Sequence, residues 1–307
     1  MITESLTLLP TEDNQQVALW QVSDNKQAMG QNQAKPNNKQ KNILLTHGTF
    51  SDKKIILGMA RYLAELGYTC YILEWRGHGT SPKAQAPFNM ETIGLYDLKA
   101  AFTYLFDELG LPNIHCTTHS GGGLALTMFL LNNPTYIDKV RSIAMFACQA
   151  FGAALTPQGF AKVTMTKAMT RTLGYIPARR FQLGTINESY AMMNPWFNWN
   201  LGRHFRSSFK KVETGHAKGS PLDYRTIMPT ITIPIYALAA KGDTFIAPPR
   251  GCQLFLETFA NPNNQFREWA QSYGDLEDYS HSRVLMSQNA AKEIWPTVLA
   301  WLEKHAA

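Results

Sequence analysis

From residue 42 onward, short apolar runs alternate with longer segments in which apolar residues recur every three or four positions. The short runs fit buried strands, and the longer segments fit amphipathic helices. Helices that connect successive strands in this way cover both faces of a parallel sheet. In chain order, the predicted strands and helices are NILLT, KKIILGMARYLAELG, YTCYIL, METIGLYDLKAAFTYLFDELG, NIHCTT, GGLALTMFLLNN and VRSIAMFA.

The regions on either side of this alternation differ from it. SLTLL and VALWQV, separated by the turn-rich PTEDNQQ, predict an N-terminal hairpin, and the polar residues 23–41 predict an exposed loop. The alternation stops after Ala150 and resumes at IPIYALAA. We therefore predict an α/β fold with a mostly parallel, twisted sheet of about eight strands and helices on both faces. The predicted domains are a core of residues 1–150 and 229–307, and a helical cap or lid, residues 151–228, inserted after the sixth strand.

Length and composition fit a folded globular protein. The chain has 307 residues, of which 45% are apolar and 17% charged, unlike a disordered chain. No run approaches the roughly 20 apolar residues of a membrane helix, and the N-terminus has no secretory signal pattern. The four cysteines are far apart and lack metal-site spacing, as expected of a reduced protein. We expect a cytoplasmic protein.

Positive charge is concentrated in the predicted cap. The net charge of the chain is +6, yet residues 151–230 contain eleven Lys and Arg against three acids, so this segment carries about +8. Such a surface favours anionic lipid, phosphates or acidic substrates, or is simply a solvated face. No nucleic-acid-binding module accompanies it, so we expect no nucleic-acid partner. Peripheral contact with anionic lipid through the cap stays open.

One serine lies on a turn that has to be tight. In HCTTHSGGGLAL, Ser120 follows a predicted buried strand and begins a predicted helix, so its hydroxyl lies at the carboxyl ends of the strands. A sharp turn there needs small residues two positions before and after the serine, which are Thr118 and Gly122. THSGG resembles the G-x-S-x-G nucleophile elbow of the α/β-hydrolases, with Thr118 in place of the first glycine.

This resemblance implies a catalytic triad in the order Ser, Asp or Glu, His. His281, in a loop between the last strand and the last helix, takes the position of the base. Asp243, at a Gly-Asp turn after the seventh strand, takes that of its carboxylate partner. The other histidines that follow the serine (His204, His216 and His305) and the other nearby carboxylates (Asp275 and Asp278) are less suitable candidates.

The resemblance also implies two backbone N–H donors for an oxyanion. One is Gly121, directly after the nucleophile, where the helix dipole assists. The other belongs to LLTHGTF, after the first parallel strand, where Thr49 has the expected position and Phe50 is the second candidate. His47 is expected to shape this loop rather than to act as a base.

Another loop extends the resemblance. LEWRGHGTSP is similar to the R-G-H-G-x-S segment of the lipase, esterase and serine aminopeptidase branches, and we expect Arg76 and His78 to be structural there. The matching motifs span roughly residues 43–304. In the cap, NPWFNWNLGRHF and several methionines suit an adaptable apolar pocket, although packing of the cap interior would explain the same residues. The candidate substrate contacts are Phe50, His119, Trp196, Phe197 and Trp199.

The function implied by the resemblance is that of a serine hydrolase acting on a carboxylic ester through an acyl-enzyme, without cofactor or metal. An apolar cap favours a small-molecule ester with a hydrophobic acyl group, of the kind that a lipase or lysophospholipase cleaves. The alternatives on the same triad are an aminopeptidase or amidase, a thioesterase, a perhydrolase and a C–C bond hydrolase. A non-catalytic binding protein on this scaffold is the alternative from another class.

Overall fold

An eight-stranded sheet forms the centre of the fold. The structure is a computed structural model that describes residues 1–24, 41–214 and 217–306. The strands of the chain are β1 (Ile2–Pro10), β2 (Gln16–Asp24), β3 (Lys41–Thr46), β4 (Tyr68–Glu74), β5 (Ile114–His119), β6 (Val140–Phe146), β7 (Tyr175–Ile176), β8 (Glu188–Ser189), β9 (Arg206–Lys211), β10 (Pro221–Asp223), β11 (Ile235–Ala240) and β12 (Gln265–Trp269). The order in the large sheet is β1-β2-β4-β3-β5-β6-β11-β12. The N-terminal hairpin pairs antiparallel with β4, and every pair from β4 to β12 is parallel. The predicted hairpin and mostly parallel sheet are confirmed.

Helices cover both faces of this sheet. They are α1 (Lys54–Glu65), α2 (the consecutive segments Met90–Thr92, Ile93–Leu98, Lys99–Thr103 and Tyr104–Glu108), α3 (Gly121–Asn132), α4 (Pro157–Leu173), α5 (Tyr190–Gly202), α6 (Pro249–Glu257), α7 (Arg283–Met286) and α8 (Gln288–Lys304). The apolar sides of α1 and α8 share one buried cluster, and α2 and α3 belong to the cluster on the other face. The sequence predicted this arrangement because an amphipathic helix buries only its apolar stripe.

The helix that begins after Ser120 is held on two sides. α3 is apolar almost all round and is buried from Gly121 to Leu130. A Cβ on Gly94 of α2 would lie 2.7 Å from the carbonyl oxygen of Ala125, so the backbones of α2 and α3 are in direct contact. This close packing fixes α3 between α2 and the sheet.

The chain leaves the sheet after β6 and returns to it with β11. The intervening segment contains α4, α5 and two short antiparallel ribbons, β7–β8 and β9–β10. An insertion after the sixth strand was predicted, whereas its ribbons were not. We keep the name cap for residues 151–228; these domain boundaries stay a prediction.

A buried carboxylate joins the cap to the core. Glu91 of α2 accepts hydrogen bonds from the hydroxyl groups of Ser207 and Tyr224 and from the N–H of Ser208. Glu91 is fully buried, so its carboxyl oxygens depend on these donors for the hydrogen bonds that water would otherwise provide. The cap is therefore seated on α2 by polar contacts as well as by apolar packing.

Two further expectations concern the whole chain. None of the helices in the described ranges combines the length and apolarity required to cross a bilayer. The four cysteines (Cys70, Cys116, Cys148 and Cys252) are buried free thiols. The loop expected over residues 23–41 falls mostly outside the described residues.

Candidate active site

Ser120 lies at the turn from β5 into α3, and its backbone is strained there. Its φ and ψ are 51° and −122°, a positive φ that residues other than glycine rarely adopt. The Ser120 N–H donates to the carbonyl oxygen of Phe146 at 2.8 Å, which ties the turn to the end of β6. This is the geometry that exposes a nucleophile at the carboxyl edge of a parallel sheet.

Thr118 fits into this turn because Gly123, three residues after the serine, leaves room for its hydroxyl group. The Thr118 hydroxyl lies 3.7 Å from the sulfur of Cys148. A Cβ on Gly123 would lie 2.5 Å from that sulfur and 3.1 Å from the Thr118 hydroxyl. A Cβ on Gly122 would lie 2.6 Å from the carbonyl oxygen of His47. The glycine triplet thus provides close packing on two sides of the turn.

The loop after β3 packs backbone to backbone against the same turn. A Cβ on Gly48 would lie 2.6 Å from Ser120 Cβ and 3.1 Å from the backbone nitrogen of Gly121. The N–H of Phe50 already donates to Glu188 Oε1 at 3.0 Å, whereas no described residue accepts a hydrogen bond from the Thr49 N–H. Of the two candidates for the second oxyanion donor, the geometry favours Thr49.

Asp243 and His281 form a hydrogen-bonded pair beside this turn. The His281 Nδ1 donates to Asp243 Oδ2 at 2.5 Å, and the N–H groups of Ile246 and Ala247 donate to the same carboxylate at 3.0 Å each. Burial alone would raise the pKa of Asp243, but the imidazole and the backbone donors hold it below its ordinary value. The ionised carboxylate keeps the proton on Nδ1 of His281, so Nε2 is the nitrogen that can accept one.

His119 connects His281 to the serine turn. Its Nε2 donates to the carbonyl oxygen of His281 at 2.9 Å, and the two ring centroids are 4.8 Å apart. Burial and the neighbouring imidazole lower the pKa of His119 to about 3, so this ring is neutral. Ser120 Oγ and His281 Nε2 form no hydrogen bond within 3.5 Å in the described structure; this contact is often long in ligand-free sites.

The other candidate carboxylates have different partners. Asp275 accepts a hydrogen bond from Arg267 at 2.6 Å, and Asp278 accepts one from the N–H of Gln271 at 2.9 Å. Of the described carboxylates, only Asp243 forms a hydrogen bond with the His281 side chain.

His204 and His305, the other described histidines that follow the serine in the sequence, form no hydrogen bond or ring contact with the serine turn. His204 lies in the cap, where its Nδ1 accepts from the N–H of Arg206 at 3.3 Å. His305 lies at the end of α8, with its Nδ1 2.9 Å from the Trp301 carbonyl oxygen. His216 lies outside the described residues. Among the residues that the structure describes, no group of three His, Cys, Asp or Glu side chains is arranged to hold a metal ion.

The space above Ser120 is small and largely apolar. Met90, Leu124, Met193 and Trp196 are among the residues that line it, together with Thr49, Ser120 and Gly121. Its volume is about 10 Å³, room for about one water molecule. The cap therefore covers the serine closely in this conformation.

The predicted substrate contacts are dispersed rather than gathered around this cavity. Trp196 lines it, but Phe197 and Trp199 are buried in the cap, where the Trp199 indole N–H donates to the carbonyl oxygen of Arg206 at 2.8 Å. Phe50 and His119 are buried and do not line the cavity. Met193, three residues before Trp196 on α5, does line it. That helical spacing is the signal that would have singled out Met193.

Comparisons with known proteins agree with this fold. A family model described as "alpha/beta hydrolase fold" matches residues 41–303, and no curated protein sequence matches the chain significantly. Among solved structures, an esterase from Pyrococcus furiosus is similar, with 16% identity, a TM-score of 0.64, and coverage of 100% of this chain and 92% of that one. Mouse alpha/beta hydrolase domain-containing protein 10 has 14% identity and a TM-score of 0.63 over 98% and 99% of the two chains. A membrane phospholipase A described as a bacterial virulence factor has 16% identity and a TM-score of 0.59 over 98% and 87%. At such identities the likeness shows the fold alone.

We predict that Gly48→Ala slows the reaction of Ser120 with a fluorophosphonate probe by about 100-fold or more, because the new Cβ displaces the Thr49 amide from the serine. The rate of covalent labelling measures this. Gly58→Ala on α1, whose Cβ would meet only the Trp295 side chain at 3.1 Å, is the matched control and leaves the rate unchanged. Equal labelling of Gly48→Ala and the wild type would contradict the assignment of this loop.

Proposed function

Because the chain belongs to the alpha/beta hydrolase fold family, we propose that it is a serine hydrolase acting on carboxylic esters with a hydrophobic acyl group. The observation that carries the proposal is a strained Ser120 that lines one cavity with Thr49 and Gly121, with the Asp243–His281 pair attached to the same turn. Acyl transfer requires a nucleophile, a base, a group that orients the base, and oxyanion donors. Each has a candidate here.

The proposed reaction proceeds in two halves. His281 Nε2 takes the hydroxyl proton of Ser120 as Oγ attacks the acyl carbon, while the N–H groups of Thr49 and Gly121 stabilise the oxyanion. His281 then gives that proton to the leaving alkoxide oxygen, the ester C–O bond breaks, and an acyl-enzyme remains. Water, deprotonated by His281, attacks the acyl-enzyme, and the proton returns to Ser120 as the carboxylic acid leaves.

The charges near the site favour an ester over a substrate with a free amine. An aminopeptidase has to bind the substrate ammonium group, for which a carboxylate in the pocket is the usual partner. No acidic residue is among those that line the described cavity. Of the acids in the cap, Glu188 is engaged by His78 and Asp223 by Arg225. Thioesterase and perhydrolase activities remain alternatives on the same residues.

We predict that the wild-type protein hydrolyses p-nitrophenyl butyrate and is labelled by a fluorophosphonate. Ser120→Ala abolishes labelling, and His281→Ala lowers kcat by about 10⁴-fold or more, because each removes a member of one catalytic unit. An aminoacyl p-nitroanilide and a butyryl thioester, assayed in parallel, compare ester with amide and thioester cleavage. Absence of both turnover and labelling in the wild type would support a binding protein instead.

We predict that Trp196→Ala extends the range of acyl chains. The cavity above Ser120 is too small for a long chain, and each methylene that gains a buried position contributes about 0.8 kcal/mol. We expect the ratio of kcat/KM for p-nitrophenyl octanoate to that for the acetate to rise by about tenfold. Phe197→Leu, on the same helix but outside the cavity lining, leaves the ratio unchanged. An unchanged ratio in Trp196→Ala would exclude this residue from the acyl site.

We further propose that the cap contacts anionic lipid. Two features of its surface support this: the exposed basic side chains Lys162, Arg171, Arg179, Arg180, Arg203, Arg206, Lys210, Lys211 and Lys218, and the exposed large apolar side chains Phe160, Met165, Leu173, Tyr175, Phe181 and Phe209. Basic residues interspersed with apolar ones are typical of proteins that bind reversibly to anionic bilayers.

We predict that the protein sediments with vesicles that contain phosphatidylserine and not with pure phosphatidylcholine vesicles. A basic side chain near such a surface contributes about 1 kcal/mol, so the double variant Lys210→Glu/Lys211→Glu binds about tenfold more weakly or worse. Lys54→Glu/Lys304→Glu, which makes the same change of net charge in the core, is the control. Equal losses in both variants would point to net charge rather than to the cap surface.

A further inference from the structure

The cap holds both polar backbone groups of Phe50, the residue that follows the proposed oxyanion donor. The Phe50 N–H donates to Glu188 Oε1 at 3.0 Å. The Phe50 carbonyl oxygen accepts from the N–H groups of Thr185 and Ile186 at 2.9 and 3.0 Å. Phe50 has a φ of 65°, a conformation that a residue with a side chain retains only where its surroundings impose it. Cap residues 184–188 provide those surroundings.

Glu188 is itself fixed by a buried histidine of the core. Glu188 Oε1 accepts from His78 Nε2 at 2.8 Å, and His78 Nδ1 donates to the carbonyl oxygen of Arg76 at 3.0 Å. Both ring nitrogens face oxygen atoms, an arrangement that favours a hydrogen on each of them. Burial would lower the pKa of His78, but the Glu188 carboxylate raises it above its ordinary value. One carboxylate oxygen thus binds both the N–H of Phe50 and the ring of a buried core histidine.

We propose that Glu188 is a positioning residue for the oxyanion hole: by holding the Phe50 N–H, it fixes the direction of the Thr49 N–H. The proposal rests on the proposed function, since it takes Thr49 as an oxyanion donor. Glu188 also directly precedes Ser189, whose hydroxyl caps α5 by accepting from the N–H of Met192 at 3.1 Å. Seating of the cap and assembly of the oxyanion hole therefore depend on the same residue.

A residue that only joins the cap to the core should affect stability but not kcat, and Glu91 is such a residue. Glu91 is also a buried glutamate that accepts hydrogen bonds across the cap–core boundary, from Ser207, Ser208 and Tyr224. It makes no described contact with the loop of residues 47–50. Loss of Glu91 should lower the melting temperature and leave the kcat of the folded protein unchanged.

The kinetic test compares Glu188→Ala, Glu188→Gln and Glu91→Ala on p-nitrophenyl butyrate. We expect Glu188→Ala to lower kcat by about tenfold or more and to change KM by less than about threefold. This is the expected pattern because the oxyanion hole acts in the transition state and not in substrate binding. Glu188→Gln keeps an oxygen acceptor for Phe50 and recovers most of the kcat. The proposal is overturned if Glu188→Ala retains wild-type kcat, if Glu91→Ala lowers kcat equally, or if glutamine is as damaging as alanine.

Hydrogen–deuterium exchange of the peptide that contains residues 47–51 provides a readout independent of turnover. We expect exchange of the Phe50 amide to accelerate by about tenfold or more in Glu188→Ala and to stay at the wild-type rate in Glu91→Ala. If the wild type is inactive but shows this exchange pattern, the proposed function is wrong, whereas the hydrogen bond from the Phe50 N–H to Glu188 is supported. An active wild type whose Phe50 exchange is unaffected by Glu188→Ala would reject the positioning role alone.

Discussion

The close approach of two backbone segments, the end of β3 and the turn at Ser120, determines the geometry of the whole site. β3 and β5 are neighbouring parallel strands with Thr46 opposite Thr118, so the loops that follow them leave the sheet side by side. Gly48 and Gly122 are the positions where a Cβ would collide with the opposite segment. This packing brings backbone amides, rather than side chains, up to the serine. The strained Ser120 conformation, which costs about 1–3 kcal/mol, is retained because the sheet and α3 hold both of its ends.

The histidines around this turn differ in protonation because each has different partners. His47 donates from Nδ1 to the carbonyl oxygen of Gly48 at 2.8 Å and accepts at Nε2 from the N–H of Trp75 at 3.1 Å. Burial and the neighbouring His78 ring, 5.3 Å away between centroids, keep the pKa of His47 well below its ordinary value. Its lone pair is therefore engaged, and it is no candidate for the base. His119 is neutral, and the Glu188 carboxylate raises the pKa of His78. Of the described histidines, only His281 combines a carboxylate partner with a position next to the serine turn.

The sequence predicted what depends on local pattern. The strands and helices of residues 42–150 have clear periodicity, and the turn at Ser120 needs small residues at fixed offsets, so both were found. The ribbons of the cap were missed because strands of two to six residues without alternation carry no period. Glu188 was missed because its contacts with Phe50 and His78 span 138 and 110 residues, and the loop motif that contains His78 specifies no partner. Trp196, Phe197 and Trp199 were grouped by composition, although successive helical residues point about 100° apart, and only Trp196 reaches the cavity.

Access to Ser120 depends on α5, whose Met193 and Trp196 close the cavity. The N-terminal end of this helix is anchored, since Glu188 is held by Phe50 and His78, and Ser189 caps the first turn. Movement of that end would break the hydrogen bonds that hold both polar backbone groups of Phe50. Within the helix, however, Pro195 lacks an N–H and cannot donate to the carbonyl oxygen of Ala191. The helix therefore lacks one backbone hydrogen bond between Glu188, which holds the N–H of Phe50, and Trp196, which covers the serine.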